Sequence, residues 1–379
     1  MRRIVVAPDS FKGSLGALEV ADRIAAGIAR VLPESRIDRF AMADGGEGSI
    51  DAVLATRHGQ RHLEPAADAM GTAVPAQFAT LEEGGRAAAL LEVAQVIALP
   101  KAPGSVEQRS SFGVGQQLRR ALDLGVRQVF VGLGGSSTNE AGVGLLAALG
   151  VRFTGADGRP IERPALRDLE HIVAADFAGL DARLRDLRLL ALTDIDSPLC
   201  GATGATAMFG PQKGVASERV ALYDGWIRRF AALCEPAAGR RAATLPGAGA
   251  AGGIGWALQL IGAEARSGAL AIAEMNGLDA ALAGADWALT GEGRSDAQTL
   301  RGKAPLAVAQ LARRRGVAVT LLSGAIAEDS LRALSAHFDG CFSIIPRPMT
   351  LEAAMGHAGE LLADAAEQLT RLRIALRCD

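Results

Sequence analysis

The sequence predicts an α/β protein: a doubly wound parallel sheet assembled from both ends of the chain, with a second α/β domain inserted into it. Three observations carry this. Short apolar runs alternate with amphipathic stretches over about the first 58 residues and again after residue 285, the rhythm of strand–helix units that build parallel sheets. Between His58 and Leu91 the rhythm changes to short alternating segments, which reads as an antiparallel meander. Glycine-rich loops follow several of the apolar runs, as expected where a parallel strand turns into a helix beside a ligand.

The elements follow in order. Ile4 to Ala7 is a strand, and Ser14 is placed to cap a helix whose apolar positions Leu18, Ala21, Ile24, Ile28 and Val31 recur at helical spacing before Pro33. A strand near Ile37 to Met42 leads through a glycine loop into a helix carrying Ile50 and Val53. The meander comprises His62 to Ala66, Val74 to Leu81 and Ala87 to Leu91, punctuated by Gly71 and by Gly84-Gly85. A helix through Val114, Leu118 and Leu122 feeds the strand Val129 to Val131; Leu189 to Leu192 is another strand. Val220, Tyr223, Trp226, Ile227 and Phe230 form a helical stripe that is most simply core. Trp287 to Leu289, Val317 to Leu322 and Cys341 to Ile345 are strands; Pro305 to Arg315, Asp329 to Leu334 and a long final stretch from Leu351 to Leu369 are helices. Five such strands suit a flavodoxin-like sheet. The expected domains are 1–58 plus 285–379, and 59–284.

Composition excludes other classes. The 379 residues carry a formal net charge of −2 with 49 % apolar residues, an ordinary globular balance. Without a basic block, and with one tyrosine, neither nucleic acid nor an anionic membrane is expected as a partner. Four cysteines, Cys200, Cys234, Cys341 and Cys378, lack zinc-ligand spacing and read as reduced thiols. The opening apolar run is too short for a signal peptide, so a cytoplasmic location is expected. Lysine is scarce: Lys12, Lys101, Lys213 and Lys303 stand among 40 basic residues. Where arginine serves as the generic cation, a retained lysine marks a place that needs a compact ammonium. Three of the four lie in glycine-rich loops.

Three loops follow strands of the predicted outer sheet: Asp9-Ser10-Phe11-Lys12-Gly13-Ser14, Asp44-Gly45-Gly46-Glu47-Gly48-Ser49, and Gly291-Glu292-Gly293-Arg294-Ser295-Asp296 with Gly302-Lys303 beyond it. Their carboxylates, lysines and backbone N–H groups suit a phosphate and its magnesium. The middle of the chain adds Gly132 to Glu140, with Gly134, Gly135, Ser136, Ser137, Thr138 and Asn139; the pair Asp194 and Asp196 at a strand end; and Lys213 in Phe209 to Gly214. Two carboxylates at that spacing could hold magnesium or take a proton from a hydroxyl.

Other patterns fail. Gly302-Lys303-Ala304 lacks the earlier glycine and the hydroxyl of a Walker A loop. Gly247-Ala248-Gly249-Ala250-Ala251-Gly252 matches GxGxxG, but no strand precedes it, so an NAD-linked hydroxy-acid oxidoreductase is the alternative enzyme and a sugar-acid or nucleotide sensor the non-enzymatic one. The five histidines form no metal pair.

The runs APDSFKGSL, MADGGEGS, FGPQKG, GAGAAGG, TGEGRSDAQTLRGKAP and IPRPMTLEAAM, spread from Ala7 to Met355, resemble the signatures of the type 1, bacterial glycerate kinase family. The resemblance implies a flavodoxin-like domain with an inserted α/β domain, ATP with magnesium, and D-glycerate as acceptor, phosphorylated at the 2-hydroxyl; a related small hydroxy acid is the nearest variant, and a homodimer stays open. For that reaction, residue chemistry suggests that Lys12 and Lys303 would contact phosphate oxygens, that Asp194 and Asp196 would hold magnesium or accept the hydroxyl proton, and that Arg294 could clamp the glycerate carboxylate with its fork of donors. Asp9, Ser10, Asp44, Glu47 and Glu292 are expected on the substrate side, the four acids binding its hydroxyls or waters around it, and the Gly134–Asn139 stretch with Lys213 is expected to bind ATP. The family pattern GGSATNDGG is here GGSSTNEAG, with Glu140 and Ala141, and CDVDNPL is here TDIDSPL, with Ser197.

Overall fold

The computed structural model describes residues 2–99 and 102–375; Lys101 and Cys378 lie outside the described residues. The chain divides into two compact units, one of Met1–Asp44, Asp51–Arg57 and Gly268–Asp379, the other of Gly45–Ile50 and His58–Ser267. It is an α/β protein whose sheets are dominated by parallel pairing.

The first unit is built on a five-stranded sheet in the order Gly340–Ser343, Val319–Ser323, Trp287–Thr290, Arg3–Val6, Arg36–Arg39. Every neighbouring pair is parallel. Strand side chains alternate between faces, so Ile4, Val6, Trp287 and Leu289 pack with Val20, Ile24, Ile28, Leu362 and Ala366 from the helices Ala17–Ala29 and Ala358–Ala375. Val5, Ala288, Val319 and Leu321 face the other way, onto the helix Ala304–Arg314 and its neighbours. The two helices of the first layer approach closely at Gly27, where a Cβ would lie 2.1 Å from the Ala363 carbonyl oxygen.

The second unit has a six-stranded sheet in the order Glu264–Arg266, Arg188–Leu192, Gln128–Gly132, Arg86–Glu92, Ala73–Glu83, Gly59–Ala67. The expected meander forms two antiparallel pairings, and its last strand then joins Gln128–Gly132 in parallel. One continuous core holds Phe78, Leu91, Leu118, Val129, Leu146, Phe153, Phe230 and Trp256. The helix Val220–Ala238 turns Tyr223, Ile227 and Phe230 inward, as its stripe predicts.

Two local expectations change. Ser14 does not cap the first helix, which starts after Gly16; its hydroxyl instead donates to the Met355 carbonyl at 2.8 Å. The long final helix is two, Leu351–Gly356 and Ala358–Ala375, separated at His357. Short elements such as the hairpin Arg152–Gly155 with Ile172–Asp176 carry too few residues for periodicity to declare them.

Candidate active site

In the first unit, parallel pairing brings the carboxyl ends of all five strands to one edge. The loop after Arg3–Val6 is laced to its neighbours. Asp9 N–H donates to the Gly291 carbonyl at 2.8 Å, and Met42 N–H to the Pro8 carbonyl at 2.9 Å. Phe11 and Leu15 exchange both backbone hydrogen bonds, at 2.9 and 3.0 Å, closing a tight turn with Gly13 at φ +80°. A Cβ on Gly13 would lie 3.1 Å from Met355 Cε, so this loop and the helix Leu351–Gly356 are packed together. Lys12 itself is exposed.

Asp9, Asp44 and Glu292 interact electrostatically at this edge. Burial, then the Asp44 charge, push the Asp9 carboxyl up to about 7; Glu292 adds to the rise, and the Ser10 N–H, donating to Asp9 Oδ1 at 2.6 Å, opposes it. Asp44 is exposed and Ser10 half-buried. Glu292 is buried, with Lys303 Nζ at 3.4 Å. Arg294 is exposed on a two-residue strand, Arg294–Ser295, paired in parallel with Ala325–Ile326. Asp9, Ser10, Lys12, Asp44, Glu292, Arg294 and Lys303 thus belong to connected loops of one unit.

Glu47 belongs to the other unit, where it is exposed. Its loop lies against the sheet: a Cβ on Gly132 would meet the Gly45 carbonyl oxygen at 2.2 Å, and one on Gly134 would meet Gly46 Cα at 2.6 Å. Asp194 and Asp196 follow the strand Arg188–Leu192, half-buried and exposed respectively. Their carboxylates are hard oxygen donors of the kind magnesium takes alongside phosphate oxygens and water. That donor set fits the ion, although no group of three or more His, Cys, Asp or Glu gathers as a metal cage among the described residues.

The remaining loop is largely internal. Gly135 is exposed and Gly134 half-buried, whereas Ser136, Ser137, Thr138, Asn139 and Glu140 are buried. Lys213, 4 % exposed, reaches into it and donates to the Thr138 carbonyl at 2.7 Å and to Ser136 Oγ at 3.2 Å. Arg109 donates to the carbonyls of Ser137 at 3.2 Å and Lys213 at 2.9 Å. Asn139 Nδ2 donates to Thr206 Oγ1 at 3.0 Å. Burial pushes Lys213 down to about 7, opposed by the Glu140 charge.

The model of the glycerate kinase family matches residues 4–374. The chain belongs to the glycerate kinase family. It is similar to the glycerate kinase of Halalkalibacterium halodurans, 36 % identical over 373 residues and covering 97 % of each chain. It is also similar to the glycerate 2-kinase of Escherichia coli, 32 % identical over 382 residues and covering 99 % of each. A solved structure described as a glycerate kinase 2 from Salmonella typhimurium superposes with a TM-score of 0.87 at 36 % identity, covering 100 % of both chains.

Within the family frame, several motifs acquire structural reasons. Gly247-Ala248-Gly249-Ala250-Ala251-Gly252 is a packing surface: Gly249 N–H donates to the Ser197 carbonyl at 2.9 Å, and a Cβ on Gly249 would meet the Pro198 carbonyl oxygen at 2.5 Å. Glu140, at a departure from the family pattern, accepts from the N–H groups of Gly142 at 3.1 Å and Gly144 at 2.9 Å, and burial pushes its carboxyl up to about 7. Ala141 adopts φ +54°, a left-handed conformation that glycine adopts more readily than alanine. Sequence reasoning missed Arg109 and Ser323, which no motif marks, and gave no role to Ser295 and Thr299, whose hydroxyls donate to Glu292 while Ser323 pairs with Ser295.

Proposed function

We propose that this chain transfers the γ-phosphoryl group of ATP to the 2-hydroxyl of D-glycerate, giving 2-phosphoglycerate. The observation that carries this is membership of the glycerate kinase family across residues 4–374, together with likeness over 99 % of both chains to a relative named glycerate 2-kinase. Phosphoryl transfer asks mainly for alignment and charge neutralisation. Lys12 and Lys303 supply compact cations to phosphate oxygens. Arg294 offers a two-pronged donor to the glycerate carboxylate, and Asp9, Ser10, Asp44 and Glu47 address its hydroxyls. Asp194 and Asp196 would hold magnesium, which would supply neutralisation of phosphate charge when bound. One of these two carboxylates accepts the hydroxyl proton. For ATP, exposed Gly135 and half-buried Gly134 present backbone to the nucleotide, while Ser136, Ser137, Thr138, Asn139 and Lys213 brace that loop from inside.

The finer fold reading belongs with this proposal. Numbered along the chain, the strands of the first unit run 2-1-3-4-5 across the sheet, the flavodoxin-like order with ligands at the carboxyl edge. A discontinuous domain of 1–58 plus 285–379 around an inserted 59–284 accords with it.

The test mixes purified protein with D-glycerate and MgATP, then adds enolase without a mutase. Phosphoenolpyruvate is expected, because enolase acts on the 2-phosphate. ADP without phosphoenolpyruvate would move transfer to another hydroxyl, and no glycerate-dependent ADP would remove glycerate as the acceptor.

A further inference from the structure

By residue type Glu292 reads as a substrate ligand, but its surroundings point elsewhere. The residue is 6 % exposed. Its Oε1 accepts from the Thr299 hydroxyl at 2.5 Å and the Ser295 hydroxyl at 3.0 Å, and its Oε2 from Lys303 Nζ at 3.4 Å. The donors are themselves fixed. Thr299 Oγ1 accepts the Asp296 N–H at 3.0 Å, so its proton is committed to Glu292. Ser295 Oγ lies 2.7 Å from Ser323 Oγ; with Ser295 donating to the carboxylate, Ser323 donates to Ser295. All three hydroxyl residues are fully buried. Burial pushes the Glu292 carboxyl up, opposed by the Lys303 charge and by these hydroxyls. Lys303, in contrast, keeps 29 % of its side chain exposed, immediately before the helix Ala304–Arg314.

We propose that Glu292 is a positioning residue: its carboxylate, held by Thr299 and the Ser323–Ser295 relay, fixes the Lys303 ammonium at the carboxyl edge of the sheet for the transferring phosphoryl group, and it does not touch glycerate. This rests on the kinase reading above. A lysine is a point charge on a flexible stem, and a charge ordered in advance of the transition state stabilises it more than one ordered on demand.

A double-mutant cycle of Glu292→Gln, Lys303→Ala and the pair tests this, with glycerate-dependent ADP formation as one readout. Acylation of the Lys303 amine, followed by mass spectrometry at pH 8, is the other. Glu292→Gln is expected to lower kcat on the order of ten- to a hundredfold with the glycerate KM changed less than about twofold. In the Lys303→Ala background it should add less than about twofold. Lys303 acylation should rise severalfold in Glu292→Gln, because an amine no longer held against a carboxylate 3.4 Å away is freer to meet the reagent. Thr299→Val should reproduce the kcat loss in milder form, and Thr299→Ser should restore it. Multiplying losses with a raised glycerate KM would place Glu292 on the substrate and overturn the proposal, as would an unchanged acylation rate. The labelling needs no turnover, so a wild-type chain inactive on glycerate would count against the kinase reading while this inference is still decided.

Discussion

Asp9 shows how strongly one side chain here answers to its surroundings. Its folded-state pKa, about 7 against an ordinary 3.8, is raised. The stability it contributes is therefore full below about pH 4 and lost as pH climbs through about 7. Asp9→Asn removes that dependence. Relative to wild type, the variant should gain about 1–2 kcal/mol between pH 5 and 8, less than the full shift implies because the carboxyl keeps some solvent. Thermal unfolding at the two pH values measures it; parallel behaviour of the two proteins would mean that Asp9 is ionised throughout. Lys12 is exposed at the same edge, so Lys12→Ala should leave folding intact and lower kcat/KM on the order of a hundredfold, read in the enolase-coupled assay. Lysine scarcity singled out Lys12, Lys213 and Lys303, and all three sit in the loops that the sequence marks. What the sequence does not reveal is that Lys213 is sealed inside its loop while the other two meet solvent. That difference arises from which strands become neighbours, and residue type carries no trace of it.

At the scale of elements, close backbone approach accounts for glycine at particular positions of the Gly247–Gly252 run. Gly252 has φ +67°, and a Cβ there would lie 2.1 Å from the Thr138 carbonyl oxygen. Gly252→Ala should therefore destabilise the protein by at least about 2–3 kcal/mol, combining an unfavourable backbone with a clash against main chain. Denaturant midpoints would show it, and an unchanged midpoint would mean that the two loops can move apart. The strands and principal helices were legible because their apolar spacing is strong: Ile24 and Ile28, or Ile227 and Phe230, point inward as the pattern requires. Element ends were less so. Ser14 has the chemistry of a helix cap, yet a carbonyl distant in sequence, that of Met355, takes its hydroxyl proton. Tertiary partners of this sort lie outside any local pattern.

The whole molecule has two compact units, with a core in the second and cores on both faces of the sheet in the first. Units with separate cores tend to unfold as separate cooperative blocks. Calorimetry should accordingly give a measured unfolding enthalpy larger than the van't Hoff value; equality of the two would show that the units melt together. The apolar runs that become the strands Arg3–Val6, Trp287–Thr290 and Val319–Ser323 were readable from sequence. The order of strands was not, because crossings depend on packing between helices hundreds of positions apart, as at Gly27 against Ala363.

The first strand of the first unit, Arg3–Val6, lies inside its sheet and hydrogen-bonds on one side to Arg36–Arg39 and on the other to Trp287–Thr290. Its second partner leaves the ribosome more than two hundred residues after the first. At ~5–20 residues per second, that is a wait on the order of 10–50 s. Through it, the newborn amino-terminal segment offers one unpaired strand edge and the apolar stripe of Ala17–Ala29. The second unit, Gly45–Ile50 with His58–Ser267, is fully synthesised before that wait ends. The interior portion of the chain is therefore fully synthesised before the opening strand acquires its second partner.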